Sequence, residues 1–317
     1  MSAEIANGKR RALAAPKVAY STRFGRMILG DADAALRSPT VRRLKGKIQL
    51  VLTSPPFPLN RKKAYGNLTG DDYLSWLAEY APRLGDLIAD DGSIVLEIGN
   101  SWDRGRPTMS TLGLRALLAF LNRGGLHLCQ QFISYNPARL PSPVQWVNIE
   151  RARVKDSFTH VWWMSKCARP KANNRHVVVP YSDRMLKLIE RQHYNSGKRP
   201  SEHGIGETSF LTDNGGAIPS NVLTFSNTSS SDQYLKYCRE RRINLHPARM
   251  PAGLADFFIR FLTDSKDYVL DPFAGSNTTG STAERLSRRW IAIEANKEYV
   301  RGSRGRFASQ SIRNGKN

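Results

Sequence analysis

Two stretches of this 317-residue chain carry residue types whose spacing could do chemistry, and the first is Thr53-Ser54-Pro55-Pro56-Phe57. The run before it, Ile48-Gln49-Leu50-Val51-Leu52, reads as a short buried parallel strand. Consecutive prolines fix φ at about −65° and remove two backbone donors, so the strand stops and its last carbonyls face something other than a neighbouring strand. The turn therefore presents acceptors, to which Ser54 adds a hydroxyl and Phe57 an aromatic face. No Ser-His-Asp spacing supports Ser54 as a covalent nucleophile.

The second stretch is Asp271-Pro272-Phe273-Ala274-Gly275-Ser276-Asn277-Thr278-Thr279-Gly280, between the strand Tyr268-Val269-Leu270 and a helix running through Leu286. Its Gly275-to-Gly280 spacing mimics a phosphate-binding loop, but Ser281 stands where that loop needs lysine. There is no G-x-G-x-x-G either, which removes the dinucleotide reading. What remains is a tight turn that lets backbone approach an uncharged or zwitterionic ligand. Glu294, 23 residues after Asp271, ends the next strand at the ~20-residue offset from which an acid takes ribose hydroxyls. A nucleoside without phosphates points to S-adenosylmethionine; a purely structural turn is the alternative.

Both loops need strands to place them. Met27-Ile28-Leu29-Gly30-Asp31 reads as a strand ending in a Gly-Asp turn, with a short helix through Leu36, and Asp31 suits either the ligand crevice of an open sheet or a helix N-cap. Apolar spacing predicts one helix over 71–87, a turn at Asp91-Gly92, a strand over 93–99, a helix over 111–121 and a strand over 126–134 closed by Tyr135-Asn136-Pro137. A proline-punctuated loop covers 140–146 and a strand 156–164. Later come a helix over 254–262 and the strand 290–294. Strands alternating with helices indicate an α/β wound parallel sheet.

The segment 165–240 loses periodicity, and 151–200 holds 12 Lys or Arg against three acidic residues. Arg169, Lys171, Arg175, Lys198 and Arg199, interleaved with Asn and His, suit phosphates and base edges, as do Arg61, Lys62 and Lys63 in the loop after the prolines. A plain solvated loop is the other reading. Residues 1–19 read as a mobile basic arm and 301–317 as a disordered basic tail, leaving 20–164 and 241–300 as two halves of one folded domain.

Forty-eight Lys and Arg against 27 Asp and Glu give a net charge of +21, which calls for a polyanion, nucleic acid before membrane. No apolar run approaches the ~20 residues of a membrane span. Cys129, Cys167 and Cys238 show no C-x-x-C spacing, which fits a reducing, cytoplasmic setting and gives no metal site.

Taken in order, these motifs resemble the beta-class amino DNA methyltransferases, most closely the PvuII-type N4-cytosine-specific ones. The likeness runs through Ser54-Pro55-Pro56-Phe57, Tyr65-Gly66-Asn67, Leu140-Pro141-Ser142-Pro143, Trp146-Val147-Asn148, Arg153-Val154-Lys155-Asp156, Tyr181-Ser182-Asp183-Arg184-Met185, His246-Pro247-Ala248-Arg249 and Asp271-Pro272-Phe273-Ala274-Gly275-Ser276. Asn277 departs from the glycine that many amino methyltransferases have there. The resemblance implies a permuted Rossmann-like fold with a mostly parallel seven-stranded sheet, 165–240 as target-recognition insert, and transfer of a methyl group from S-adenosylmethionine to a flipped cytosine in double-stranded DNA.

It further implies that Ser54, Pro55, Pro56 and Phe57 hold the base with Tyr135 packed on it. Asp271, Pro272, Phe273, Gly275 and Ser276 would line the cofactor, Glu294 would bind its ribose, and Asp31 would meet its adenine. The Ser54 oxygen and the Pro55 carbonyl would accept the two N–H bonds of the cytosine amine, and Phe57 or Tyr135 would offset the cost of flipping by stacking. An adenine-N6 enzyme, an RNA methyltransferase and a catalytically inactive DNA-binding relative are the competing readings. A nucleoid setting and a separately acting restriction endonuclease complete the expectation.

Overall fold

A computed structural model describes residues 15–58, 68–198, 200–225, 232–307 and 312–314. The chain opens with the hairpin β1 (Lys17–Ser21) and β2 (Gly25–Leu29), then α1 (Ala32–Arg37), α2 (Pro39–Arg42) and β3 (Ile48–Thr53). Helices α3 (Gly70–Ala78), α4 (Tyr80–Leu87) and α5 (Leu112–Gly124) flank the long strand β4 (Ile88–Gly99). Strands β5 (His127–Tyr135) and β6 (Phe158–Ser165) follow, then α6 (Asp183–Arg191), β7 (Gly197–Lys198), β8 (Gly204–Ile205), β9 (Val222–Thr224) and α7 (Gln233–Glu240). The last part holds α8 (Ala252–Leu262), β10 (Tyr268–Asp271), α9 (Thr278–Arg285), β11 (Arg289–Glu294), α10 (Lys297–Ser303) and β12 (Arg313–Asn314).

Ten of these strands form one sheet in the order β12-β1-β2-β11-β10-β3-β4-β6-β5-β9. The seven strands from β2 to β5 are the expected sheet. Within them β6 alone is reversed, antiparallel to β4 and β5, because the connection from β5 is a loop and not a crossover helix. Alternation along the strands separates two core layers. Val51, Ile94, Leu96 and Ile98 pack with Tyr73, Leu77, Leu84 and Phe120 of α3, α4 and α5, whereas Leu50, Leu52, Val95 and Val161 pack with Leu254, Phe258 and Ile259 of α8.

Several expectations need correction. The arm does not reach residue 19: Lys17–Ser21 is a sheet strand, and Tyr20 is buried with edge-on contacts to Trp290 and Phe307; residues 1–14 lie outside the described ones. Nor is 301–317 a disordered tail throughout. α10 runs to Ser303 and a tight turn, Arg304–Phe307, buries Phe307 against Tyr20 and Trp290. The helix expected over 71–87 is two, since Pro82 offers no N–H to the Ala78 carbonyl and the chain breaks at Glu79. The Asp91-Gly92 turn becomes a bulge inside β4, where pairing with β3 jumps from Ile48↔Ile88 to Leu50↔Ser93.

Residues 173–220 form a compact unit of their own, shorter than the insert expected over 165–240. On one side of it, 165–172 belongs with the main unit. On the other, β9 joins the sheet beside β5, and α7 buries Tyr234, Leu235 and Cys238. The small unit holds α6, N-capped by the Ser182 hydroxyl accepting from the Met185 N–H at 3.3 Å, and the two-strand ribbon β7–β8. A bridge between Val179 and Ala217 and the Tyr194–Phe210 ring contact at 5.3 Å tie it together.

Candidate active site

Strands β3 and β10 are parallel neighbours, so their carboxyl ends bring together two motifs 217 residues apart in sequence. Contact is direct: the buried Thr53 hydroxyl donates to Asp271 Oδ1 at 2.6 Å. Asp271 Oδ1 also accepts the Phe273 N–H at 3.1 Å, which bends the chain into the glycine turn. Burial pushes the Asp271 carboxyl up to about 6 despite these donors.

Beyond Thr53, Ser54 is half-buried, Pro55 buried and Phe57 half-buried. The Phe57 ring lies on the backbone of Gly99 at the end of β4, where a Cβ would fall 2.5 Å from the ring. The Gly99 side of the ring is thus occupied and the rest of it is half-exposed. Tyr135 ends β5 at the same carboxyl edge, opposite Phe158 of β6, with its carbonyl taken by the Phe225 N–H at 3.0 Å.

Glu97 was missed by the sequence reading. It lies on β4 beside the proline turn, where the Ser54 hydroxyl donates to its carbonyl at 3.4 Å and the Thr159 hydroxyl to its Oε1 at 3.0 Å. Burial raises the Glu97 carboxyl, while hydrogen bonding from Thr159 and Ser54 and the charge of Arg139 oppose the rise. A lone acid in the apolar run Ile94-Val95-Leu96-Glu97-Ile98 was the available signal. Next to it, Asn100 Nδ2 donates to Asp156 Oδ1 at 2.8 Å, and Asn100 Oδ1 and Ser101 Oγ are buried without a partner among the described residues.

The glycine turn is built to exclude side chains. Gly275 has φ +51°, and a Cβ there would sit 2.9 Å from the His246 ring. Its N–H donates to Glu294 Oε2 at 2.9 Å, while Glu294 Oε1 accepts from the Asn296 N–H at 2.8 Å. Burial pushes Glu294 up to about 7, with a contribution from the Asp271 charge. Asn277 also lies in the left-handed region, at φ +59°. Its Oδ1 caps α9 through the Gly280 N–H at 3.1 Å and its Nδ2 donates to the Tyr20 hydroxyl at 3.1 Å, which accounts for Asn in place of Gly.

Three of the expected cofactor residues also have partners within the protein or are buried. Ser276 is buried, its carbonyl and hydroxyl held by the Arg306 guanidinium at 2.7 and 2.9 Å, so it braces the loop from behind. The Phe273 ring packs edge-on against Tyr80 at 5.2 Å and tilted against Trp76 at 5.6 Å. Pro272 is buried. Asp31 N-caps α1 through Oδ1, which accepts the Ala34 N–H at 3.1 Å, leaving Oδ2 for a ligand.

The basic residues separate. Lys171 is committed elsewhere: its ammonium binds Asp264 at 2.7 Å and Asp267 at 2.8 Å, and its N–H meets the Asp91 carbonyl. These partners stand just before β10 and early in β4, at the edge of the sheet opposite Ser54. Arg169, on the same segment leaving β6, is exposed. Arg175 and Lys198 are exposed on the 173–220 unit. Arg61, Lys62, Lys63 and Arg199 lie outside the described residues. A cleft of about 550 Å³ lined by Arg23, Arg26, Arg43, Lys266 and Arg289 also opens at the opposite edge and contains none of the motif residues.

The observed cradle fits S-adenosylmethionine. Backbone closes in at Gly275 where no side chain is tolerated, the carboxylates of Asp31 and Glu294 keep lone pairs free, and the turn carries no lysine for phosphates. One reversed strand in an otherwise parallel seven-stranded sheet, with this turn after β10 and an acid ending β11, defines an S-adenosylmethionine-dependent methyltransferase. Residues 48–304 match the model of a DNA methylase family, and the chain belongs to that family. It is 46% identical over 298 residues to the type II methyltransferase M.PvuII of Proteus hauseri, covering 93% of this chain and 87% of the relative. The solved structure of a PvuII DNA methyltransferase (cytosine-N4-specific) superposes with a TM-score of 0.73 at 39% identity over 92% of this chain and 89% of that one. A complex of M1.HpyAVI with S-adenosylmethionine shares the fold, with a TM-score of 0.52 at 20% identity over 89% of this chain and 98% of that one.

Proposed function

We propose that this enzyme methylates the N4 amino group of a cytosine rotated out of duplex DNA. The observation that carries the reading is the Thr53–Asp271 hydrogen bond, which fixes the Ser54-Pro55 acceptors beside the Gly275 turn. When bound, S-adenosylmethionine supplies an electrophilic methyl group. Gly275, Glu294 and Asp31 would hold it; Ser54 and Pro55 would hold the base.

An exocyclic cytosine amine is a weak nucleophile because its lone pair is delocalised into the ring. The Ser54 oxygen and the Pro55 carbonyl accept its two N–H bonds and draw the nitrogen toward tetrahedral geometry. Because the Ser54 proton points to the Glu97 carbonyl, the oxygen's lone pairs are turned to the amine. The methylated nitrogen carries a surplus proton, which would pass to the Ser54 oxygen as that hydroxyl turns from the Glu97 carbonyl to the Glu97 carboxylate and gives up its own proton there; burial raises the affinity of that carboxylate for a proton. Tyr135 stacks on the extruded ring at the end of β5. Ser54 in place of an acid or amide favours cytosine over adenine, by the family's pattern.

The 173–220 unit, with Arg175 and Lys198 exposed, acts as the target-recognition element, and a restriction endonuclease of the same specificity acts separately, both within the cytoplasm on the nucleoid. No helix among the described residues is long and apolar enough to cross a membrane. Incubation with labelled S-adenosylmethionine and duplex DNA should yield N4-methylcytosine in the hydrolysate. N6-methyladenine as the sole product refutes the base assignment.

A further inference from the structure

The loop joining β5 to β6 exposes more apolar surface than its position needs. Among the described residues, the two most exposed large apolar side chains are Val154 at 86% and Leu140 at 80%, and Ile149 at 65% and Val144 at 58% lie on the same loop. An isolated exposed leucine needs no explanation, but four such side chains on one loop at the mouth of an active site do.

This loop is held in shape. The Asp156 N–H donates to the Ser142 carbonyl at 3.1 Å, and the N–H groups of Ala152 and Arg153 both reach the Trp146 carbonyl. Lys155 Nζ binds the Pro137 and Arg139 carbonyls at 2.8 and 3.3 Å, which brings Leu140 and Val154 to the same part of the loop. Arg153 Nε bonds the Pro107 carbonyl at 2.7 Å, and the Trp146 ring meets Trp102 at 5.6 Å. At its base, Arg139 donates to the Phe158 carbonyl at 3.1 Å and Asp156 accepts from Asn100. The exposed tip is therefore rigidly connected to the strand ends that carry Glu97 and Tyr135.

Resting on the proposed reaction, we infer that Leu140 and Val154 form an apolar wedge that enters the duplex and fills the gap left by the flipped cytosine. A rigid apolar tip flanked by Arg139, Arg151, Arg153 and Lys155 suits a base stack bordered by phosphates. The hydrogen bonds that hold the loop limit the conformational entropy that insertion would cost.

The test uses the full-length enzyme, a duplex that it is shown to methylate, and the same duplex with the target cytosine mispaired. For the variant Leu140→Ala/Val154→Ala, kcat/KM on the paired duplex should fall about 10-fold or more and on the mispaired one by less than about 2-fold, since a mispaired base is already easier to extrude. Leu140→Met should stay near wild type on both. Equal losses on the two duplexes, or no loss on the paired one, overturn the wedge and leave the tip to some other occupant. Failure of the wild-type enzyme to methylate cytosine on any duplex instead overturns the underlying reaction.

Discussion

Thr53 and Asp271 share one short hydrogen bond, at 2.6 Å, between the residue before Ser54 and the residue that opens the glycine turn. Both partners are buried, so replacing Thr53 with valine, which keeps the shape, leaves a buried carboxyl short of a donor. Thr53→Val should cost about 1–3 kcal/mol of stability by denaturant unfolding. It should also weaken cofactor affinity measured by calorimetry. Unchanged values for both would mean that the two motifs are positioned independently.

Ser54 and Glu294 should separate by kinetic parameter. Ser54→Ala is expected to lower kcat roughly 100-fold or more, the scale of removing one placed hydrogen-bond partner at the reacting atoms, with S-adenosylmethionine affinity kept. Glu294→Ala should raise the cofactor Kd with a smaller effect on kcat at saturation. The reverse pattern would exchange the two roles.

Acidity links the cofactor cradle to pH. The folded-state values of Glu294, up to about 7, and Asp271, up to about 6, lie above those of exposed carboxyls. Their protonation therefore favours the folded state, and that contribution, full below about pH 4, is lost as pH rises to about 7. A ribose contact needs ionised Glu294. The thermal shift produced by saturating S-adenosylmethionine should thus grow between about pH 6 and pH 8, and Glu294→Gln should abolish that growth.

Gly275→Ala tests the steric reading of the turn. The positive φ and the His246 ring both oppose a Cβ, so cofactor binding should fall sharply. Adding His246→Ala should restore part of it, because only the clash is relieved and the backbone strain remains. Full restoration would show that the dihedral is unimportant.

Salt dependence of DNA binding should sort the basic residues. Replacing Lys198 and Arg199 with alanine should flatten the slope of log K against log salt by roughly 0.9 for each phosphate left without its counter-charge. Lys171→Ala, which breaks ion pairs at the opposite edge, should leave the slope alone and lower thermal stability slightly.

Reading the sequence located what is local. Ser54-Pro55-Pro56-Phe57 ends a strand wherever it occurs, and Gly275 marks a turn without reference to its neighbours. What escaped depends on distant partners. Tyr20 is buried by Trp290 and Phe307, so nothing near residues 17–21 announces a strand. Lys171 looked available because Asp264 and Asp267 lie more than ninety positions away in sequence. Reversal of β6 left no mark in its own composition, since a strand buried on both faces reads alike in either direction. Glu97 was visible as an acid among apolar residues, but its meaning required Ser54 from the neighbouring strand.

The bracing of Ser276 by Arg306 gives the enzyme a timing. On the ribosome Ser54 and its neighbours are synthesised early, but the Asp271 carboxyl that anchors Thr53 comes only with β10, late in the chain. Here the methyl-donor cradle stays unsupported until residues beyond Ser303 have emerged and turned back beneath it. The seven strands of the central sheet are all made before the brace that steadies the glycine turn, so this part of the cradle is among the last to be locked.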